Sequence, residues 1–157
     1  MSMLKIGAKA PAFTLLDQEG KTVSLSDFAG TKVVLYFYPK AMTPGCTVQA
    51  CGLRDSKAAL KKLKAVAIGI SPDTPARLKK FEDRDALNFI LLADEDHAVA
   101  EKYGVWGLKK FMGRESMGIL RSTFIIDEQG KIAHVMGKVN TKTHHEDVMA
   151  LLAEAKV

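Results

Sequence analysis

The run KVVLYFY, Lys32 to Tyr38, constrains the chain more than any other stretch. After its first lysine it is continuously apolar and rich in β-branched and aromatic residues. That is the pattern of a strand covered on both faces. AVAIGIS (Ala65 to Ser71) repeats the pattern, and FILLAD (Phe89 to Asp94) supplies a third strand or the end of one. Helical segments separate these runs. One is expected from about Thr43 to Leu63, and another starts at Asp73 or Thr74, with Pro75 in its first turn. Buried strands alternating with helices predict an α/β chain with a central sheet flanked by helices. At 157 residues without linker or repeat, the chain reads as one domain over 1–157, long enough to bury a core without staples.

The remaining segments fill in this plan. FTLLDQEGKTVSL reads as an N-terminal β-hairpin, followed by a short turn capped at Ser26-Asp27 and ending at Gly30. DEDHAVAEKYG is a short helix closed by Gly104, with DEDH as its capping turn rather than a cation site. GVWG carries the only Trp, either packed in the ordinary way or lining an approach to a site. KKFMGRESMG reads as an exposed loop, and RSTFIIDEQGKIAHVMG as a second hairpin. The last helix places Val148, Leu151, Leu152 and Ala155 on one stripe, with His144-His145 at its polar start.

The net charge of +5 comes from lysines scattered along the chain. Nucleic-acid binding calls for a clustered basic face, so the excess reads as solvated surface. No apolar run suits a signal peptide or approaches the roughly 20 residues that span a bilayer. The expectation is a soluble cytoplasmic protein with neither a nucleic-acid nor a membrane partner. In a reducing compartment a structural disulfide is disfavoured, and a pair of cysteines reads as catalytic, redox-active or metal-binding.

Both cysteines lie where the first buried strand gives way to a helix, in FYPKAMTPGCTVQAC. In α/β sheets functional groups collect at such junctions. Pro39 ends the strand, Thr43 suits an N-cap and Pro44 the first helical position. Gly45 and Cys46 fall in the first turn, whose N–H groups lack intrahelical partners. Those groups and the helix dipole favour the anion of a thiol placed there, and they can hold a polar oxygen of a substrate. Cys51 lies five residues on, about 8.6 Å away between Cα atoms on a regular helix. A disulfide needs roughly 4.4–6.8 Å. Either the two thiols are unrelated, or a bond between them requires the first turns to unwind. Cys51 alone also reads as a small buried hydrophobe. A zinc site needs about four ligands, and His134, His144 and His145 do not look placed to supply them.

YPKAMTPGCT resembles the peroxiredoxin active-site signature P-x-x-x-T-x-x-C, here Pro39, Thr43 and Cys46. VQACGLRD is similar to the bacterioferritin-comigratory (PrxQ) branch, in which a second cysteine follows five residues after the first. APAFTLLDQEGKTVSLSDFAG, FILLADEDHAVAEKYGVWG and RSTFIIDEQGKI extend the likeness over nearly the whole chain. The resemblance implies a thioredoxin-like fold with an N-terminal hairpin, and a thiol peroxidase with no metal or cofactor, acting on hydrogen peroxide and organic hydroperoxides. It implies that Cys46 attacks the peroxide and becomes sulfenic acid. Thr43 would hold the peroxide oxygen and the thiolate, Pro39 would shield the sulfur, and Arg121 would favour the anion and bind peroxide. Gln49 would orient Arg121, and Gly45 would support the pocket. Cys51 would resolve the sulfenic acid as an intramolecular disulfide that thioredoxin reduces.

Read without the resemblance, Arg121 is a strand-edge charge and Thr43 a plain N-cap. Some branch members carry the resolving cysteine on a later helix, in the region of KKFEDRD, where this chain has none. Typical two-cysteine relatives resolve with a cysteine near the partner's C-terminus, and this chain ends at Val157 without one, so a monomer, or a loose dimer, is expected. A peroxide-sensing thiol switch uses the same residues and stays open. A thiol–disulfide oxidoreductase usually shows C-x-x-C, against which the C-x4-C spacing counts.

Overall fold

All six residues of the first apolar run that form a strand are buried, because both faces of that strand meet other side chains. The structure, a computed structural model, describes residues 4–154. In chain order its elements are β1 (Thr14–Asp17), β2 (Thr22–Ser24), β3 (Lys32–Phe37), α1 (Pro44–Asp55), α2 (Lys57–Lys62), β4 (Ala65–Ser71), α3 (Pro75–Asp85), β5 (Ile90–Ala93), α4 (Ala98–Lys102), β6 (Trp106–Phe111), β7 (Arg114–Ile119), β8 (Ser122–Ile126), β9 (Ile132–Met136) and α5 (His144–Glu154). Seven strands form one mixed sheet in the order β2-β1-β5-β4-β3-β8-β9. β3, β4 and β5 run parallel, and β8 and β1 lie antiparallel beside them.

Alternation along β3 sorts its side chains between two layers. Val33, Leu35 and Phe37 join Tyr103 and Val99 on the face covered by α4. On the other face Tyr36 packs with Ala50 and Leu53 of α1 and Phe81 of α3. Val34 meets Val148 and Leu152 of α5 there. Ala155 of the expected stripe lies outside the described residues. The N-terminal hairpin is present as β1–β2. Its turn is tied back by Gln18, which donates to the Phe89 carbonyl at 3.0 Å and accepts from Leu91 N at 3.0 Å. Among the described residues no helix is long and apolar enough to cross a membrane.

Four expectations are corrected. The helix expected from Thr43 to Leu63 is two helices, because the Ser56 hydroxyl bonds back to the Gly52 carbonyl at 2.8 Å and breaks the ladder there. The short turn after β2 has its N-cap at Ser24 rather than at Ser26-Asp27, and Asp27 contributes from inside the turn, its Oδ2 accepting from Ser24 N at 2.9 Å. KKFMGRESMG is not a loop but most of the β6–β7 hairpin. Its turn is Met112-Gly113, both with positive φ, 52° and 78°. Methionine at the first of these positions is not a turn signal, so the sequence hides it. His144 is not a polar helix start. It is fully buried, and its Nε2 lies 2.7 Å from Thr123 Oγ1.

Gly69 of β4 sits opposite Tyr36 of β3. A Cβ there would lie 2.9 Å from the Tyr36 ring and hydroxyl. The ring is itself wedged against Tyr38 at 5.3 Å and His144 at 5.7 Å between centroids, so it cannot yield freely. Gly69→Ala is expected to destabilise the fold by about 1–3 kcal/mol, read as a lower midpoint in urea with unchanged slope.

Candidate active site

Two neighbouring strands converge on the start of α1. β3 pairs with β8 so that Phe37 faces Ser122, and Arg121 therefore stands just outside the sheet, beside the point where the chain leaves β3. The loop from Pro39 to Thr43 then turns back to begin α1. Met42 adopts φ 67° on the way, an uncommon conformation for a residue with a side chain. Pro44 opens the helix with Thr43 at the N-cap. The first intrahelical bond runs from Thr47 N to Thr43 O at 2.9 Å. The N–H groups of Gly45 and Cys46 thus have no partner inside the helix.

Cys46 is buried with 1% of its surface exposed, and Arg121 reaches it. Arg121 Nη2 donates to Cys46 Sγ at 3.3 Å, while Nη1 donates to Gln49 Oε1 at 2.6 Å. Gln49 is itself fully buried. One face of the guanidinium fork is thus fixed on α1 and the other is aimed at the sulfur, a geometry that a flexible ammonium does not hold. A Cβ on Gly45 would lie 3.6 Å from Arg121 Nη2 and 3.8 Å from Thr141 Cγ2, so a larger side chain at 45 would press on the guanidinium. Four of the residues singled out in the sequence, Gly45, Cys46, Gln49 and Arg121, are brought together. Arg121 came from far along the chain, and spacing alone gave no signal for it.

Thr43 differs in detail from expectation. It occupies the N-cap position, but its side chain accepts no capping bond. Its hydroxyl donates to the Lys40 carbonyl at 2.8 Å. The hydrogen is therefore spent on the backbone, and toward any ligand Thr43 Oγ1 is an acceptor. Pro39 is half-buried and lines a groove with Pro72, Trp106, Met117 and Ile119. Trp106 lies flat on His97, with ring centroids 3.7 Å apart, so it both packs and borders the groove. Cys51 is half-buried further along α1, and both cysteines are free thiols.

Three side chains near the site had no sequence signal. Arg84 of α3 donates to Thr47 Oγ1 at 2.7 Å. His145 of α5 rests on α1 at Gly52, where a Cβ would lie 2.5 Å from its Nδ1. Tyr36 lies under α1, and burial holds its phenol well above the usual value, reinforced by Tyr38 and Cys46 nearby.

Residues 6–135 match the AhpC/TSA family. The chain is 57% identical over 152 residues to a putative peroxiredoxin bcp of Haemophilus influenzae, covering 97% of this chain and 98% of that one. It is 54% identical over 154 residues to peroxiredoxin Bcp of Escherichia coli, covering 98% and 99%. Among solved structures, a cysteine-to-serine mutant of Xylella fastidiosa PrxQ superposes with a TM-score of 0.94 at 25% identity over the whole of both chains. The Xanthomonas campestris bacterioferritin comigratory protein, solved as trapped intermediate and ligand complexes to examine its alkyl peroxide reduction, gives 0.90 at 28% identity, also over both whole chains. These neighbours bear out the thioredoxin-like fold.

His144 supplies a pH test of the layer beneath α1. Burial pushes its imidazole down to about 4; the charges of His145 and Arg121 act in the same direction, and Asp147 opposes them. In the unfolded chain a histidine titrates near 6.5. Between those values the unfolded chain binds a proton that the folded one refuses, so stability present above pH 6.5 is lost as pH falls toward 4. The loss from this group is about 3 kcal/mol, visible in denaturant titrations at pH 7, 5.5 and 4. His144→Gln should be less stable at pH 7 and lose less on acidification; an equal loss would assign the acid sensitivity to other groups.

Proposed function

The chain belongs to the AhpC/TSA family as a peroxiredoxin of the Bcp type, a thiol-dependent peroxidase, and from that premise we propose that Cys46 is its peroxidatic cysteine and Cys51 its resolving cysteine. The observation that carries this reading is the Arg121 contact to Cys46 Sγ at 3.3 Å, braced by Gln49. A permanently charged group beside a buried sulfur favours the thiolate, the form that reacts.

The Cys46 thiolate attacks the outer oxygen of the peroxide, the O–O bond breaks, and the leaving alkoxide or hydroxide takes a proton. Cys46 is left as sulfenic acid. Thr43 Oγ1 accepts the hydrogen bond of the peroxide O–H, because its own hydrogen is on Lys40. Arg121 stabilises the charge that moves from sulfur to the departing oxygen. Pro39 keeps water from the sulfur, and Gly45 leaves room for the guanidinium. The Cys51 thiol then gives up its proton and attacks the Cys46 sulfur, the S–S bond forms as the S–O bond breaks, and the departing hydroxide takes a proton and leaves as water. A dithiol such as thioredoxin returns two electrons and two protons.

Both thiols lie on α1, which spans Pro44–Asp55, so resolution needs the first turns of that helix to open. Because the resolving thiol is in the same chain, a monomer suffices. Two free thiols suit a reducing cytoplasm, and hydrogen peroxide and organic hydroperoxides are the substrates.

Peroxide consumption coupled to thioredoxin and its reductase tests these roles. Cys46→Ser should lose more than about a thousandfold in turnover. Cys51→Ser should still form one equivalent of sulfenic acid but lose thioredoxin-supported turnover, with dithiothreitol restoring it; full turnover with thioredoxin alone would remove Cys51 from the mechanism. Gln49→Leu, which frees Arg121 to swing, should slow the reaction of Cys46 with peroxide by about ten- to a hundredfold, measured by stopped flow.

A further inference from the structure

The reaction needs α1 to hold Cys46 in its pocket and then to let go, which raises the question of what holds it. The contacts are uneven along the helix. Its C-terminal half is bolted down. Arg54 Nη1 donates to the Asp85 carbonyl at 2.6 Å, Asn88 Nδ2 donates to the Arg54 carbonyl at 3.2 Å, and Leu53 is buried. The His145 ring occupies the space over Gly52.

The segment ahead of the helix is bolted as well. Ala41 N donates to Asp73 Oδ2 at 2.8 Å, and the Ala41 carbonyl accepts from Arg77 Nη2 at 3.2 Å. Asp73 is fixed in turn by the Ser71 hydroxyl at 2.7 Å and an ion pair with Arg77 at 3.1 Å.

Between these anchors lies the part that must unwind. Among the described residues, side-chain hydrogen bonds reach residues 43–50 from other elements at three points. Two come from Arg121, to Cys46 and Gln49, and one from Arg84, to Thr47. The first two belong to the chemistry. The third touches neither the sulfur nor the peroxide.

Arg84 is well placed for another task. Its base is held by Asp85, with Nε 3.0 Å and Nη2 2.9 Å from Oδ2, and its guanidinium carbon lies 5.9 Å from the Phe81 ring centroid. From there Nη1 reaches the Met42 carbonyl at 3.4 Å and Nη2 reaches Thr47 Oγ1 at 2.7 Å. The two contacts straddle Cys46. The first is on Met42, the residue at φ 67° next to the anchored Ala41, and the second is on the turn that opens.

We infer that Arg84 is a positioning residue that latches the Cys46 turn shut through Thr47, and so sets how the sulfenic acid divides between disulfide and overoxidation. The inference rests on Cys51 being the resolving cysteine. In the open helix, Cys51–SH and Cys46–SOH give the disulfide and water. In the closed helix a second peroxide enters the pocket, the sulfenate sulfur attacks its oxygen, and sulfinic acid and an alcohol or water result. A stronger latch favours the second route.

The test uses the full chain with Thr47→Val, which keeps the shape and loses the hydroxyl, Thr47→Ser, which keeps the hydroxyl, and Arg84→Met. Stopped-flow and mass spectrometry after graded hydrogen peroxide read the rates and the disulfide-to-sulfinic ratio. Thr47→Val and Arg84→Met should each speed disulfide formation about three- to tenfold, the range set by one side-chain hydrogen bond. The peroxide needed for half-maximal sulfinic acid should rise by the same factor. Formation of the sulfenic acid should change less than about twofold. The double variant should go no further than Arg84→Met alone, since that change already removes the Thr47 bond, and Thr47→Ser should match the parent. Amide exchange in the reduced protein should rise at residues 46–49 and not at 53–55. An unchanged ratio in both single variants, with the disulfide still forming, overturns the latch alone; additive effects do the same by showing general loosening. If the parent forms no Cys46–Cys51 disulfide at all, the resolving role fails and the latch with it.

Discussion

Everything at this site hangs on one forked contact. Arg121 places one nitrogen on the Cys46 sulfur and another on the Gln49 amide. The fork is possible because β8 lies antiparallel to β3, with Ser122 opposite Phe37. That register leaves Arg121 beside the exit of β3, where α1 must begin. Slide β8 by one residue and the side chain would turn to the other face of the sheet, losing both partners at once. The central sheet is therefore more than a scaffold. Its hydrogen-bond register decides whether a cation stands at the sulfur.

The second layer of dependence lies between α1 and the sheet. Tyr36 is fully buried there, stacked on Tyr38 and tilted against His144. His144 holds Thr123 of β8 through Nε2, and its neighbour His145 sits on the backbone of α1 at Gly52. The start of α5 thus braces the strand that precedes α1, the strand that begins just after Arg121 and the helix that carries both thiols. The brace is mainly packing around the one His144–Thr123 bond: among the described residues the Tyr36 hydroxyl and the Nδ1 atoms of His144 and His145 are buried without a hydrogen-bond partner, so the rings are held by shape more than by polar pairing.

Much of this was legible in the residues. KVVLYFY and AVAIGIS are so apolar that no half-exposed strand fits them, and both are parallel neighbours in the sheet. Thr-Pro-Gly before Cys46 marked a helix start because each residue has its own backbone reason to be there. The failures were equally physical. Ser56 breaks a helix through a bond to its own preceding turn, which competes with a ladder that the apolar pattern alone continues. The β6–β7 turn uses Met112 where glycine or asparagine would have been the sign. His144 looked polar because sequence shows a side chain and not the Thr123 hydroxyl waiting for it. Arg84, and Arg121 without the family resemblance, could not be ranked above other surface cations, since their partners at the site lie 37 and 75 residues away.

The hairpin of β6 and β7 makes a two-stranded sheet of its own, outside the seven-stranded one. Met117 and Ile119 of its return strand and Trp106 of its first face Pro39 across the groove, while Leu108 and Met112 project to solvent. No strand of the main sheet takes its register from this pair. The outer part of this hairpin is thus an appendage: its length and its exposed side chains can change without shifting the register of β3 and β8, whereas Ile119 is buried in the same core as Phe37 and Phe124 and Trp106 packs against it. The register that places the Arg121 fork is written into the sheet, and the outline of the Pro39 groove is in large part written separately.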